Sequence, residues 1–311
     1  MKIGLDIMGG DFAPKATVLG AIAAQRALSA DQKIVLFGDK DQALPILAEQ
    51  GVNPDVFEFV HTTDVIGMGE HGTKSVLQKP NSSISLGYQY LKDGKIDSFA
   101  SAGNTGAMLV GAIFSVKPVP GVIRPAVATN VPKLKSGFGI MLDVGANADC
   151  KPEVLAQFGI LGSLYAEHVY NLSNPKVALM NIGEEEEKGN VLTQATFPLL
   201  QKTNLNFVGN IEGRDLFNDK ADVIVCDGFT GNVMLKLAET FYILTLKKGF
   251  KDEFFDRFNY EQYGGSPILG INAPVLIGHG ISSPEAIKNM VLLSRTMIQS
   301  GFIDKVKEAF N

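Results

Sequence analysis

The chain has 311 residues, 45% of them hydrophobic before its 33 glycines are counted and 20% charged, which excludes disorder and suits a body with a large buried sheet. Its net charge of −5 excludes steering onto nucleic acid or anionic lipid by the overall field, so any such contact has to come from a local basic patch. Cys150 and Cys226 are the only cysteines, which excludes a disulfide framework, lacks the paired spacing of a zinc site and fits a reducing cytoplasm.

From the first residues onward, short apolar runs rich in Val, Ile and Phe alternate with amphipathic stretches of helical length. The runs at 2–7, 33–37, 56–61, 98–102, 137–144, 176–182, 206–209 and 221–226 predict strands, and helices are predicted to begin near Pro14, Asp41, Ser83, Asn104, Pro152, Gly189 and Gly231. This alternation predicts an α/β protein, a three-layer α/β/α arrangement with a mainly parallel sheet whose ligands sit at the carboxyl ends of the strands. The N-terminus has a single basic residue and no apolar stretch of signal-peptide length before Asp6, so no secretory signal is expected. The longest uncharged window, 98–116, is cut by Gly103-Asn104-Thr105-Gly106 and does not read as a membrane span.

No repeat, low-complexity segment or linker marks a boundary, so residues 1–311 read as one continuous domain. The exception is 241–263, where phenylalanines and lysines cluster into a helical segment expected to project from the body. There Leu246, Phe250, Phe254 and Phe258 recur every four residues, as a slowly drifting helical stripe does.

Many predicted strands end in small or amide-bearing turns: Met8-Gly9-Gly10-Asp11, Ser101-Ala102-Gly103-Asn104-Thr105, Asp143-Val144-Gly145-Ala146-Asn147, Asn181-Ile182-Gly183-Glu184, Gly209-Asn210-Ile211-Glu212-Gly213-Arg214 and Asp227-Gly228-Phe229-Thr230-Gly231-Asn232. Any one of them is what a tight strand-to-helix turn requires. Together they read as a broad anion-binding floor, because glycine lets backbone N–H groups approach an anion and a helix start adds unpaired donors. The string Gly67-Met68-Gly69-Glu70-His71-Gly72 spells a dinucleotide fingerprint, but Pro80 stops any helix behind it within two turns. It reads as a flexible loop.

Lys188, after four glutamates and just past a predicted strand, is a candidate point charge for a phosphate. Arg214 reads equally as an anion clamp or as the partner of Asp215. Asn232 suits an N-cap and equally an amide donor to an oxyanion. Cys226 is more often a packing residue than a nucleophile in such a strand. The four histidines show no ligand spacing; His279 is the one most suited to line a pocket, and neither a metal nor another cofactor is expected.

Seven ordered segments, Asp6-Ile7-Met8-Gly9-Gly10-Asp11, Ser101 to Ala107, Leu142 to Asn147, Asn181-Ile182-Gly183-Glu184-Glu185, Phe207 to Asp215, Cys226 to Asn232 and Tyr263-Gly264-Gly265, resemble the signatures of the bacterial phosphate acyltransferases of phospholipid synthesis, the PlsX type. The resemblance implies reversible transfer of a fatty acyl group from acyl carrier protein to inorganic phosphate, giving an acyl phosphate for a membrane glycerol-3-phosphate acyltransferase. It also implies a fold similar to phosphotransacetylases and isocitrate dehydrogenases, a cytoplasmic homodimer and peripheral membrane contact. Residue by residue, it implies catalytic roles for Lys188 and Asn232. It places Ser101, Asn104 and Thr105 in a phosphate-facing loop, and the strand-end turns together with His279 add Gly103, Asn147, Asn181, Gly183, Asn210, Arg214, Asp227 and Thr230 as candidate phosphate or substrate contacts. Where the family carries an arginine-containing basic segment, 73–83 has only Lys74 and Lys79. The rival with the same chemistry is a phosphate acetyl- or butyryltransferase using acyl-coenzyme A; a nicotinamide-dependent dehydrogenase and a non-catalytic carrier or lipid module are the others.

Overall fold

The buried runs become strands and the amphipathic stretches helices, each closed by its own local chemistry. A computed structural model describes residues 1–311, the side chain of Tyr260 excepted. In chain order the elements are β1 (Lys2–Asp6), α1 (Lys15–Gln25), β2 (Lys33–Gly38), α2 (Lys40–Glu49), β3 (Glu58–His61), α3 (Gly72–Gln78), α4 (Ser83–Lys92), β4 (Ser98–Ser101) and α5 (Thr105–Gly111). Then come β5 (Ala126–Pro132), β6 (Phe138–Leu142), α6 (Pro152–Tyr170), β7 (Lys176–Met180), α7 (Val191–Gln201), β8 (Asn206–Ile211) and β9 (Val223–Val225). The chain ends with α8 (Gly228–Lys248), α9 (Glu253–Asp256), β10 (Ser266–Leu269), β11 (Val275–Ile277), α10 (Pro284–Gln299) and α11 (Phe302–Phe310). No helix among the described residues is long and apolar enough to cross a membrane.

The chain folds as two compact units, Met1–Pro118 with Tyr260–Gln299, and Val119–Asn259 with Ser300–Asn311. No long Ser-, Pro- or Gly-rich linker announces these crossings, which is why the sequence reads as continuous. In the first unit the strand order is β3-β2-β1-β4-β11-β10, parallel except for the β10–β11 hairpin. Ile3, Leu5, Ile34, Leu36, Phe37 and Phe99 are wholly buried in it. α4 lies so close to the sheet that a methyl at Gly87 would run into the Phe99 ring.

In the second unit the order is β5-β6-β9-β7-β8, with β5 antiparallel to β6 and the rest parallel. Three strands went unread in the sequence. β5 carries Thr129-Asn130 in its middle, while β10 and β11 are only four and three residues long. Phe158, Leu161 and Tyr165 of α6 are buried, and Tyr165 meets Phe302 of α11 edge-on at 5.6 Å. α6 and α11 thus share one core.

Three sequence expectations are corrected. α8 begins at Gly228, not Gly231, because Asp227 is the N-cap and accepts from the Thr230 N–H at 2.9 Å. Asn232 is therefore the fifth residue of the helix, just past its first turn, and is not a cap. The aromatic stripe is not one helix: α8 stops at Gly249, whose φ of 65° is left-handed, and α9 is a separate four-residue turn. Phe254 and Phe258 pack on Phe217 at 5.9 and 5.2 Å, whereas Leu246 and Phe250 are exposed. Finally, the loop 67–72 is held, not flexible. Glu70 accepts from the Gly67 N–H and the Ser75 hydroxyl and pairs with Lys79, which with Ser75 pulls its carboxyl down to about 2.

Candidate active site

The carboxyl ends of β6, β7 and β9 set the chemistry of the second unit. Just past β6, Asp143 is wholly buried. Its Oδ1 accepts from the N–H groups of Val127 (3.0 Å), Ala146 (3.1 Å) and Gly145 (3.3 Å). Its Oδ2 accepts from the Asn147 N–H (2.6 Å) and Nδ2 (2.9 Å). Burial pushes this carboxyl up and the donors of Asn147, Ala146 and Val127 oppose the rise. The first turn of α8 rests on this loop: a methyl at Gly231 would run into the Asp143 carbonyl, and one at Gly228 would stand 2.7 Å from the Asn147 carbonyl oxygen. That close approach brings Asn232 over the loop, where its Nδ2 donates to the Val144 carbonyl at 3.1 Å. Asn147 Nδ2 also donates to Pro125, so Asn147 builds the loop and has little left for a substrate.

A cavity of about 470 Å³ opens beside these ends, lined among others by Met180, Asn181, Ile182, Gly189, Asn190, Thr193, Cys226, Asp227 and Thr230. A second of about 650 Å³ shares Asn190, Asp227 and Thr230 and adds Asp149, Cys150 and Phe229. Two helix starts face this space. Asn190 caps α7 by accepting from the Thr193 N–H at 2.9 Å, and Asp227 caps α8. Their first-turn N–H groups and dipoles favour an anion. Lys188 is exposed, and its ammonium has no hydrogen-bond or ion-pair partner among the described residues. Its neighbours Asn181 and Gly189 line the cavity.

The other expected residues sort by where their polar atoms go. Asp227 binds the Thr230 hydroxyl at 2.8 Å, so this pair lines the cavity as one unit. Gly183 is buried against the Lys188 stem. Asn181 donates to the Lys188 carbonyl and Asn210 to the Glu185 carbonyl. Arg214 pairs with Glu212 at 2.7 Å and Asp215 with Lys220 at 2.9 Å, so of the two readings of Arg214 the partnership with Asp215 is not the one the structure forms. Cys226 is buried with its thiol on the Asp143 carbonyl, and burial with Asp227 and Asp143 pushes it well above the ordinary range. Cys150 is pushed up to about 11 by burial and the same two acids. Both shifts disfavour the thiolate, the form in which a cysteine acts as a nucleophile.

In the first unit, Ser101 is buried and donates to Asp6 at 2.6 Å, while accepting from the Gly103 N–H. Asn104 caps α5 and its Nδ2 donates to the carbonyls of Gly67, Met68 and Glu70. Ser101 therefore holds its own turn, Asn104 also ties down the loop 67–70, and Thr105 presents the exposed hydroxyl. His279 is half-buried in the turn after β11. The sequence reading missed Asn190 and Thr193, although Asn190-Val191-Leu192-Thr193 carries the spacing of a helix N-cap.

These features define a class: an α/β protein with a strand-edge cavity whose helix N-termini, beside a lysine without a partner among the described residues, suit an anion. The comparisons agree and narrow it. A family model described as a fatty acid synthesis protein matches residues 1–305. The phosphate acyltransferase of Dictyoglomus turgidum is 42% identical over 332 residues, covering 100% of this chain and 98% of that one. That of Desulforamulus reducens is 42% identical over 328 residues, covering 99% and 97%. A phosphotransacetylase from Streptococcus pyogenes shares the fold, with a TM-score of 0.69 at 15% identity over 96% of this chain and 94% of that one. The chain belongs to this phosphate acyltransferase family.

Proposed function

We propose that this protein transfers a fatty acyl group reversibly from acyl carrier protein to inorganic phosphate, forming an acyl phosphate for phospholipid synthesis. The observation that carries this reading is the unpaired Lys188 beside a cavity flanked by the N-termini of α7 and α8, in a chain of this family. Phosphate is already an anionic nucleophile at neutral pH, so the reaction needs placement and oxyanion stabilisation more than a strong base. A phosphate oxygen attacks the thioester carbonyl carbon, the C–S bond breaks, and the carrier's thiolate leaves and takes a proton. Lys188 holds the phosphate and Asn232 the developing oxyanion. The first-turn N–H groups of α7 and α8 supply further donors. The test is hydroxylamine trapping of acyl phosphate, with palmitoyl acyl carrier protein or palmitoyl-coenzyme A, with and without phosphate. Phosphate-dependent product from the carrier protein is expected; turnover without phosphate, or with coenzyme A alone, rejects the reading.

The product carries a long acyl chain to a membrane enzyme, a glycerol-3-phosphate acyltransferase, and we assign the contact with the bilayer to the end of α8 in a cytoplasmic homodimer. Leu246 and Phe250 are 59% and 55% exposed there, beside Lys247, Lys248 and Lys251. Leu246→Glu with Phe250→Glu is expected to abolish co-sedimentation with anionic vesicles and to leave dimer mass and soluble turnover intact. Retained sedimentation, or a dissociated dimer, removes this assignment. Phe254 is unsuited to the test because its ring packs on Phe217 and Phe258.

A further inference from the structure

Asn181 and Asn210 face the loop 182–189 from β7 and β8, and both direct their amides into its backbone. Asn181 Nδ2 donates to the Lys188 carbonyl at 3.1 Å, and its Oδ1 accepts from the Ile182 N–H at 2.9 Å. Asn210, 6% exposed, donates from Nδ2 to the Glu185 carbonyl at 2.9 Å while its Oδ1 has no partner among the described residues. A buried amide with one end unpaired is retained where its other end does something a smaller residue cannot. Gly189 completes the arrangement. Its φ is 100°, and any side chain there would run into Asn181 Oδ1 and Thr193 Oγ1. The loop is pressed inward at Gly183 as well, where a methyl would stand 2.8 Å from Lys188 Cγ. The two asparagines thus tie an exposed, charge-rich loop at two carbonyls, one of them that of Lys188 itself, and Gln194 Nε2 adds bonds to the carbonyls of Glu187 and Gly189 at 2.7 and 3.2 Å.

We propose that Asn181 and Asn210 are positioning residues that fix the loop 182–189 so that the Lys188 ammonium is delivered to phosphate in one place. This rests on the reading of Lys188 given above. The role assigned to each amide is the hydrogen bond its Nδ2 gives to main chain, not a contact with phosphate. Releasing the loop leaves the lysine present but spread over many positions, and misplacement on the scale of 1 Å costs roughly 100-fold.

The experiment compares Asn181→Asp, Asn210→Asp, Lys188→Ala and each Asp variant combined with Lys188→Ala. Asn181→Asp keeps the shape and Oδ1 but puts an oxygen against the Lys188 carbonyl. Each Asp variant is expected to raise the KM for phosphate about 10- to 100-fold, to leave the KM for acyl carrier protein within about threefold, and to speed amide hydrogen exchange across 182–189 alone. In the Lys188→Ala background the same substitutions are expected to add nothing. Effects that add fully to Lys188→Ala, or unchanged exchange in the loop, overturn the proposal. Asn210→Asp keeps it testable should Asn181→Asp fail to fold. If Lys188→Ala is itself harmless while the loop still loosens, the catalytic reading has failed and the clamp stands.

Discussion

Asn232→Ala is expected to lower turnover about 100- to 1,000-fold, the usual loss when one oxyanion donor is removed. The geometry supports this size. An amide NH2 has two donors, and Asn232 gives one to the Val144 carbonyl at 3.1 Å, which fixes its orientation and leaves the other N–H for a substrate oxygen. Asn232 is exposed, so the variant loses one anchoring bond, about 1 kcal/mol, and stays folded. Lys188→Ala is expected to act on phosphate instead, raising its KM, because the ammonium is a point charge that binds ground state and transition state alike. Steady-state kinetics in phosphate, with thermal melting alongside, separates the two. If both folded variants stay within a few-fold of the parent, the site lies elsewhere.

The inner strands that were legible are buried on both faces, where parallel pairing makes an unbroken apolar run such as Ile34 to Phe37, and the half-exposed edge strands β3 and β8 were legible as well. β5 hid because its antiparallel pairing with β6 tolerates the half-buried Thr129 and Asn130. The strand-end turns were legible as polar and glycine-rich, but the direction of their amides was not. Asn104, Asn147, Asn181 and Asn210 all turn to carbonyls brought near by folding, 7 to 37 residues away where they bind main chain. No local pattern carries that information. Asp143 was read only as part of a turn, since its importance lies in burial and in five donors, one of them on a different strand, Val127 of β5.

Those five donors set the second large effect. Asp143→Ala is expected to destabilise the fold by about 3 kcal/mol or more, because it leaves buried N–H groups without an acceptor and opens a gap beneath the first turn of α8. Among the described residues the carboxyl accepts from five N–H donors and gives a hydrogen bond to none, the pattern with which a carboxylate organises the loop 143–147. Asp143→Asn separates the two oxygens. With its carbonyl at the Oδ1 place it still serves Val127, Gly145 and Ala146, while its NH2 meets the Asn147 donors head-on, so an intermediate loss is expected. The damage should also reach catalysis: Val144, whose carbonyl anchors Asn232, is the next residue along this loop. Urea unfolding and turnover measured on the same folded samples check both halves. Asp143→Asn should lower turnover beyond what its fraction unfolded explains, and should lower it less in an Asn232→Ala background, where the anchored amide is already gone. Equal losses in the two backgrounds would show that Asp143 supports the fold alone and does not act through Asn232.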